Sequence, residues 1–500
     1  MPTPVPNDLP PFHPSRASLG QPHAVAHAGN ALAGGTVAPR PFAATVAELR
    51  RRVRGAVVTP EETDEYDQAR AAWNLTVEQR PAVIVVATEA ADVAETVRFA
   101  RSAGYRVAIQ ATGHGIARPA DGAVLIVTSR MNAVSIDPEA RTATVQAGAK
   151  WGAVLAPAQE HGLAPLLGST TDVGAVGYVL GGGMGWLARH YGLGSDSVRS
   201  FELVTPDGIE VHCDALEQRE LFWALKGGGA GSLGVVTSME IDLYPVSTVY
   251  AGNLLYPIEM AVEVTRRWRD WVAGMCDELT SSVVVMNFPP LDIVPEPLRG
   301  RSFVIVRGCW SGDLEAGKTL VDEWRTWRAP VLDMFGPMPF AMSDAISQDP
   351  VDPMPAMVTT ESIDELSDEL IGIIVQSAVA APGNQPPLAF VEIRHAGGAV
   401  RARSAAAAND RVRDAEFVLE LVGVVMDAHH GLALEAHLRH TRRKLAPHVT
   451  GAAYLNFTEG TEKQERSASA FRPEHLARVQ AVKAALDVEN RFCHGVAITA

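Results

Sequence analysis

The stretch PAVIVVATEAADVAETVRFARSAGYRVAIQATGHGIARPADG, Pro81 to Gly122, decides the fold. Pro81 opens the apolar run AVIVVA, which reads as a buried strand. Thr88 can cap the helix ATEAADVAETVRFARSAG, and Gly104 ends it. Arg106 to Ile109 supplies the next strand, so the stretch is a β-α-β unit. Directly downstream, GAVLIVTSRMNAVSIDPEARTATVQAG has strand composition on both sides of an Asp137-Pro138 turn signal. The class is therefore α+β with some parallel pairing.

Upstream of this unit a helix is expected around Val46 to Val53, and residues 1–42, rich in Pro, Ala, Gly and His, read as a flexible tail. Downstream, from Trp151 to about Tyr244, helical segments alternate with Gly-rich loops and close on the strand signature GVVTSMEIDLYPV. Pro245 marks a boundary. Between 246 and 445 the apolar runs SSVVVMNF, RSFVIVRGCW and LAFVEIRHAGG alternate with long helical segments, among them AGKTLVDEWRTWRA and ARSAAAANDRVRDAEFVLELVGVVMDA. That pattern suits a sheet covered by helices on one side. Pro330 to Pro355, dense in Pro, Met and Asp, reads as a long loop near a site or an interface.

Composition narrows the function. The 500 residues suffice for about two to four domains, and 47% hydrophobic with 20% charged residues is ordinary globular usage. With 43 basic against 58 acidic residues the formal charge is -15, which argues against a nucleic-acid partner. No stretch approaches the apolar length of a bilayer span, and the first residues lack the layout of a secretory signal. The expectation is a cytoplasmic protein with no membrane partner. Cys213, Cys276, Cys309 and Cys493 are far apart and form no CxxC pair, so neither a disulfide framework nor a zinc knuckle is expected.

Three Gly-rich segments carry the chemistry. In QATGHGIARPADG, glycines flank His114 directly after a strand, which lets the backbone bend tightly and expose amides suited to phosphate. GSTTDVGAVGYVLGGGMGWLARHYGLGSDSVRSFELVTPDG, Gly168 to Gly208, is dense in glycine yet interleaved with Trp186, Tyr191 and Leu193. Such density argues for backbone packed closely against a flat or extended ligand. In ALKGGGAGSLGVVTSMEI the glycines precede a strand, the reverse of a Rossmann fingerprint. A simple nicotinamide-binding domain is thereby excluded.

Taken in order, TGHG, GGGMGWLARHYGLGSDSV, KGGGAGSLGVVTSMEI and the YLN near the C-terminus resemble the berberine-bridge-enzyme-like branch of the vanillyl-alcohol-oxidase flavoproteins. The resemblance implies a two-part FAD-binding domain of the PCMH type, formed by residues 43–245 and a C-terminal segment, 446–500. Inserted between them, residues 246–445 would form a substrate domain of antiparallel sheet plus helices. It further implies FAD bound covalently through the 8α carbon of its ring to His114. The amides of Gly113 and Gly115, next to Thr112, would then face the pyrophosphate. Thr170, Thr171, Gly174 and Gly181, Gly182 and Gly183 would border the flavin ring, and Gly234 and Val236 would lie by the adenosine. Many members carry a second tether through a cysteine; the corresponding position here is Thr170, so no cysteinyl link is expected.

On the TGAAYLNFTEG segment, read as a strand, alternation points Tyr454 and Asn456 to one face, which by resemblance is the flavin's. Several relatives place a tyrosine base just after this asparagine, where this chain has Phe457. Glu392, which shares a strand face with Arg394, and Tyr454 remain as candidate bases, although a Glu and Arg pair is more often structural. His429, His430, His437 and His440 read as a solvated helix face and the run Arg50 to Arg52 as surface, so no metal is expected. The function so indicated is an FAD-linked oxidase that moves a hydride from a small alcohol, sugar or amine to flavin N5, with O2 reduced to H2O2. Rival readings are a flavin-dependent oxygenase, a dehydrogenase with another acceptor, and a non-catalytic drug-sequestering flavoprotein. An apolar sheet face in the substrate domain could support a homodimer.

Overall fold

The computed structural model describes residues 42–380, 386–402 and 407–498, and builds them around three sheets. The β-α-β unit is present as Val83–Val86, the helix Ala90–Ala103 and Val107–Gln110. Both strands pair in parallel with Val124–Val127, which lies between them, and Ala56–Val58 adds an antiparallel edge. Gly104 closes the helix in the left-handed conformation. The start of that helix differs from expectation: Glu89 precedes it, and the Thr88 amide and hydroxyl both donate to the Asp92 carboxylate. Arg54 and Gly55 amides converge on the same carboxylate, so Asp92 ties two preceding loops to the first turn of the helix. Phe42 already begins the first helix, Phe42–Arg52, and the rest of the expected tail lies outside the described residues.

A second sheet of five strands is antiparallel. Its Val134–Asp137 and Thr142–Gln146 hairpin turns where expected, because the Asp137 side chain accepts the amides of Glu139 and Ala140. Its strand Val235–Asp242 leads into the third sheet, which is antiparallel throughout and has eight strands.

Two expectations fail in the third sheet. Pro330 to Pro355 is not a bare loop: Leu332–Asp333 and Gly336–Pro339 pair with Thr248–Pro257, followed by one short helix, Asp344–Ser347. The long segment ARSAAAANDRVRDAEFVLELVGVVMDA is not helical throughout. It holds the short helices Ala399–Ala402 and Arg411–Asp414 and then the strand Phe417–Val424, while residues 403–406 lie outside the described set. Pairing on both sides, with Ala356–Ile363 and Phe390–His395, satisfies the whole backbone of FVLELVGV and overrides its helix formers.

Alternation gives this sheet two unlike faces. Val283, Val285, Val391, Ile393, Leu419 and Leu421 bury a hydrophobic core with the helices Ala261–Val272, Asp368–Ala378 and Ala428–Leu445. The opposite face is mixed: Leu255, Val284, Phe303 and Ile305 form an apolar cluster on it. Beside them runs a polar belt of Asn253, Arg307, Ser282, Glu392, Arg394 and Glu420, all buried except the partly exposed Arg394.

Candidate functional site

The strand Val107–Gln110 delivers the chain into a turn in which Gly113 has φ of +80°. A Cβ there would stand 2.8 Å from Ala72 Cα, so both conformation and space require glycine. The tight turn presents His114. Its ring stacks on Trp73, with centroids 4.4 Å apart and planes at 16°, and its Nδ1 lies 2.7 Å from Thr112 Oγ1. Burial, with a smaller push from Lys150, drops the imidazole pKa to about 3, which keeps the ring neutral and nucleophilic. The backbone amides from Thr112 through Ile116 donate to no described residue. A run of unused amides on a glycine turn is what a phosphate group requires.

The second loop lies against the first: a Cβ on Gly174 would sit 3.5 Å from Ala111 Cβ and Thr112 Cγ2. Two carboxylates from the Pro330 to Pro355 segment grip this loop. Ser169 Oγ donates to Asp349 at 2.5 Å, the Thr171 amide donates to Asp344 at 2.8 Å, and the Thr171 hydroxyl donates to Asp344 as well. Burial raises the Asp344 pKa against these hydrogen bonds, and Asp349 and Asp172 raise it further. Thr170 turns inward on its own loop, its hydroxyl accepting the Asp172 amide.

The triple glycine is packed closely on protein. A Cβ on Gly181 would fall 1.6 Å from Asn456 Oδ1, one on Gly182 2.8 Å from Asn409 Nδ2, and one on Gly183 2.4 Å from Tyr178 Cε1. These glycines admit Asn456, Asn409 and Tyr178 to the backbone. The segment holding Tyr454 and Asn456 is a short 3-10 turn, Leu455–Phe457, rather than a strand. Phe457 N and Thr458 Oγ1 both donate back to the Tyr454 carbonyl, which curls the chain where a ladder would have kept it extended. The two side chains still meet. Tyr454 Oη accepts the Met184 amide at 2.6 Å and Asn456 Nδ2 at 3.3 Å, and Asn456 Nδ2 also donates to the Tyr178 carbonyl. Burial pushes both the Tyr454 and Tyr178 hydroxyls well above the usual phenol range, which makes Tyr454 a poor base. The Tyr178 hydroxyl is buried with no partner among the described residues.

Gly234 immediately precedes the strand Val235–Asp242 of the five-stranded sheet, and Val236 lies within it. A Cβ on Gly234 would meet the Val204 carbonyl at 2.7 Å, and Val236 is buried opposite Leu203.

The polar belt of the third sheet supplies the remaining chemistry across neighbouring strands. Arg307 Nε donates to Asn253 Oδ1 at 3.1 Å, Ser282 Oγ donates to Glu392 Oε1 at 2.6 Å, and Arg394 Nε donates to Glu392 Oε2 at 2.8 Å. Glu420, directly opposite Glu392 in register, has Oε2 3.5 Å from Arg394 Nη2 and, among the described residues, no hydrogen bond on that oxygen. The two carboxylates titrate in opposite directions. Burial disfavours the charge on Glu392, but Arg394, Arg307 and Ser282 outweigh it and hold its carboxyl below the usual range. For Glu420 burial dominates, Arg394 opposes it, and Glu392, Asp349 and Glu459 add repulsion, so its pKa is pushed up to about 8. Glu420 is thus the titratable group the sequence reading missed, and Glu392 is its fixed neighbour. The alternation within FVLELVGV is the signal that would have found it.

Arg394 joins the belt to the glycine loops, its guanidinium 4.7 Å above the Phe457 ring, which in turn meets Tyr454 edge-on. A cleft at this junction is lined by Ser169, Met184, Trp186, Ser281, Arg394 and His395. Of the helix histidines, His437 places Nε2 2.9 Å from the Ser377 carbonyl, and no cluster of metal-ligating side chains occurs among the described residues.

A strand-turn loop whose amides meet no described acceptor, a half-buried neutral histidine and a buried tyrosine hydroxyl without a partner among the described residues fit an FAD cofactor. Residues 81–214 match the FAD binding domain family. The chain is 26% identical over 468 residues to (R)-6-hydroxynicotine oxidase of Paenarthrobacter nicotinovorans, covering 88% of this chain and 96% of that protein. Against an uncharacterized FAD-linked oxidoreductase, YgaK, of Bacillus subtilis it is 31% identical over 242 residues, and the match spans 53% of that relative. Berberine bridge enzyme from Eschscholzia californica shares the fold with a TM-score of 0.76 at 19% identity, over 90% of this chain and 97% of that one. The chain carries an FAD binding domain, shares the fold of berberine bridge enzyme, and is an FAD-linked oxidoreductase.

Proposed function

We propose that the protein is an FAD-dependent oxidase in which His114 carries the flavin as a single histidyl link and Glu420 accepts the substrate's proton. Bound FAD supplies the hydride acceptor at its N5. The protein's own work is to hold the substrate at the cleft beside Arg394 and to take a proton from its hydroxyl or amine. A carboxyl at about 8 with an unpartnered oxygen is suited to that transfer near neutral pH, whereas Glu392 is committed to Arg394 and Ser282. The Glu392 and Glu420 contrast carries this reading.

The substrate class is a small alcohol, sugar or amine of specialised metabolism, with O2 as acceptor and H2O2 as product. The 6-hydroxynicotine oxidase likeness lends weight to the amine. Phe457, in place of a tyrosine, left room for a protein that only sequesters a planar compound, but Glu420 supplies the base whose absence that reading needed. Screening amines, sugars and alcohols for peroxide release with the parent and a Glu420→Gln variant tests the proposal. Peroxide from the parent, lowered by a factor of about 10² to 10⁴ in the variant, supports it. Flavin reduction without peroxide under air would replace the oxidase by a dehydrogenase, and equal rates in both proteins would remove Glu420 from the chemistry.

A further inference from the structure

Behind the loop that carries His114 lies a charge with no role so far. Lys463 stands on the short helix Gly460–Arg466 of the C-terminal segment and is only 6% exposed. Its Nζ donates to the Gly115 carbonyl at 3.2 Å, and a Cβ built on Gly115 would stand 3.3 Å from the same nitrogen. The ammonium is therefore pressed against the loop. Such a group has three N–H donors, and the bond to Gly115 is its one hydrogen bond among the described residues. The carboxylate that acts on it, Glu459, is engaged elsewhere: its Oε2 accepts Asn74 Nδ2 at 2.7 Å, while the Asn74 backbone amide donates to the Gly113 carbonyl. Burial lowers the Lys463 pKa to about 8 and raises that of Glu459 to about 7, each charge partly restoring the other. A buried, under-bonded cation is unfavourable by itself. Here it adjoins a turn whose amides from Thr112 to Ile116 also lack a described acceptor. Cation and amides call for the same thing, an anion at the turn.

We infer that Lys463 is a positioning residue of the FAD site, its ammonium acting through the Gly115 turn as counter-charge to the cofactor's pyrophosphate. The inference rests on the FAD reading and assigns the C-terminal segment a part in holding the cofactor. Glu459 then tempers the charge, and its removal should leave more of it for the phosphates.

The test uses a His114→Ala background, so that no covalent bond retains the cofactor. FAD-loaded protein is diluted and release is followed by the rise in flavin fluorescence. Lys463→Met is expected to release FAD at least about tenfold faster, a difference that shrinks in high salt, while Lys463→Arg stays within about threefold. Glu459→Gln is expected to release FAD no faster than the background. A Lys463→Met protein that melts like the background and releases FAD at the same rate overturns the inference. Glu459→Gln releasing faster, or Lys463→Arg releasing at a salt-independent rate, overturns it even where the Met variant does not fold. Background protein that holds no FAD at all would overturn this inference, and parent protein that holds none would overturn the FAD reading with it, whereas unchanged release from a loaded Lys463→Met protein overturns this inference alone.

Discussion

Glu392 and Glu420 face each other across one register position and differ in the donors each receives and in the negative charge around each. Ser282 and Arg394 bond both oxygens of Glu392, and Arg307 lies 3.7 Å away. Glu420 has only the distant edge of Arg394. The account therefore expects kcat/KM to rise with pH through about 8 as Glu420 loses its proton, and this limb to vanish in Glu420→Gln. The melting temperature below about pH 8 should change little, because Glu420 is then already uncharged and glutamine keeps its shape. Arg394→Met should behave in the opposite way, leaving buried Glu392 without its nearest cation and lowering stability by about 3–5 kcal/mol in denaturant unfolding. Loss of activity without loss of stability in that variant would contradict the belt as described.

Elements were legible where periodicity and punctuation agreed. The β-α-β unit, the Asp137-Pro138 hairpin and the break at Gly104 all follow from local residue choice, and all three are present. The misreadings fall where tertiary partners decide. FVLELVGV was absorbed into a helical segment because leucine and glutamate favour helix, yet two flanking strands claim it, and the missed strand took Glu420 with it. The YLN segment alternates like a strand but curls into a turn that seats Tyr454 on the Met184 amide. The glycine run was legible as close packing but not as to what packs, since Asn409 and Asn456 come from distant parts of the chain. Gly181→Ala should consequently be poorly folded, and Asn456→Ala in the same chain should recover part of the loss by opening the space. A Gly181→Ala single variant with parental stability would refute this packing. At the start of the helix Ala90–Ala103, four hydrogen bonds to Asp92 hold its carboxyl below the usual range against the effect of burial. Because the folded state binds that proton less tightly than the unfolded one, the contribution is present above the ordinary carboxylate pKa and is lost as pH falls. Asp92→Asn should lower stability by about 1–2 kcal/mol at neutral pH, with the gap to the parent narrowing in acid; a gap independent of pH would contradict it.

At the scale of the whole molecule, one sheet divides two tasks between its faces. The apolar face is closed by helices, and the face with the polar belt is pressed on the glycine loops, with Asp344, Asp349 and Arg394 joining the two parts. Composition and motif order sufficed to read an FAD protein with an inserted sheet domain, because the glycine turns are local. The polar belt was not readable, because its members are single residues on separate strands that meet only through register. Everything above presumes that FAD sits on the His114 turn. The most direct test is to precipitate purified parent and His114→Ala protein with acid, wash and redissolve the pellets, and record the visible spectra of pellet and supernatant. The account predicts flavin absorbance in the parent's pellet and, for His114→Ala, in the supernatant alone. Flavin absent from both fractions of the parent would contradict the account at its base.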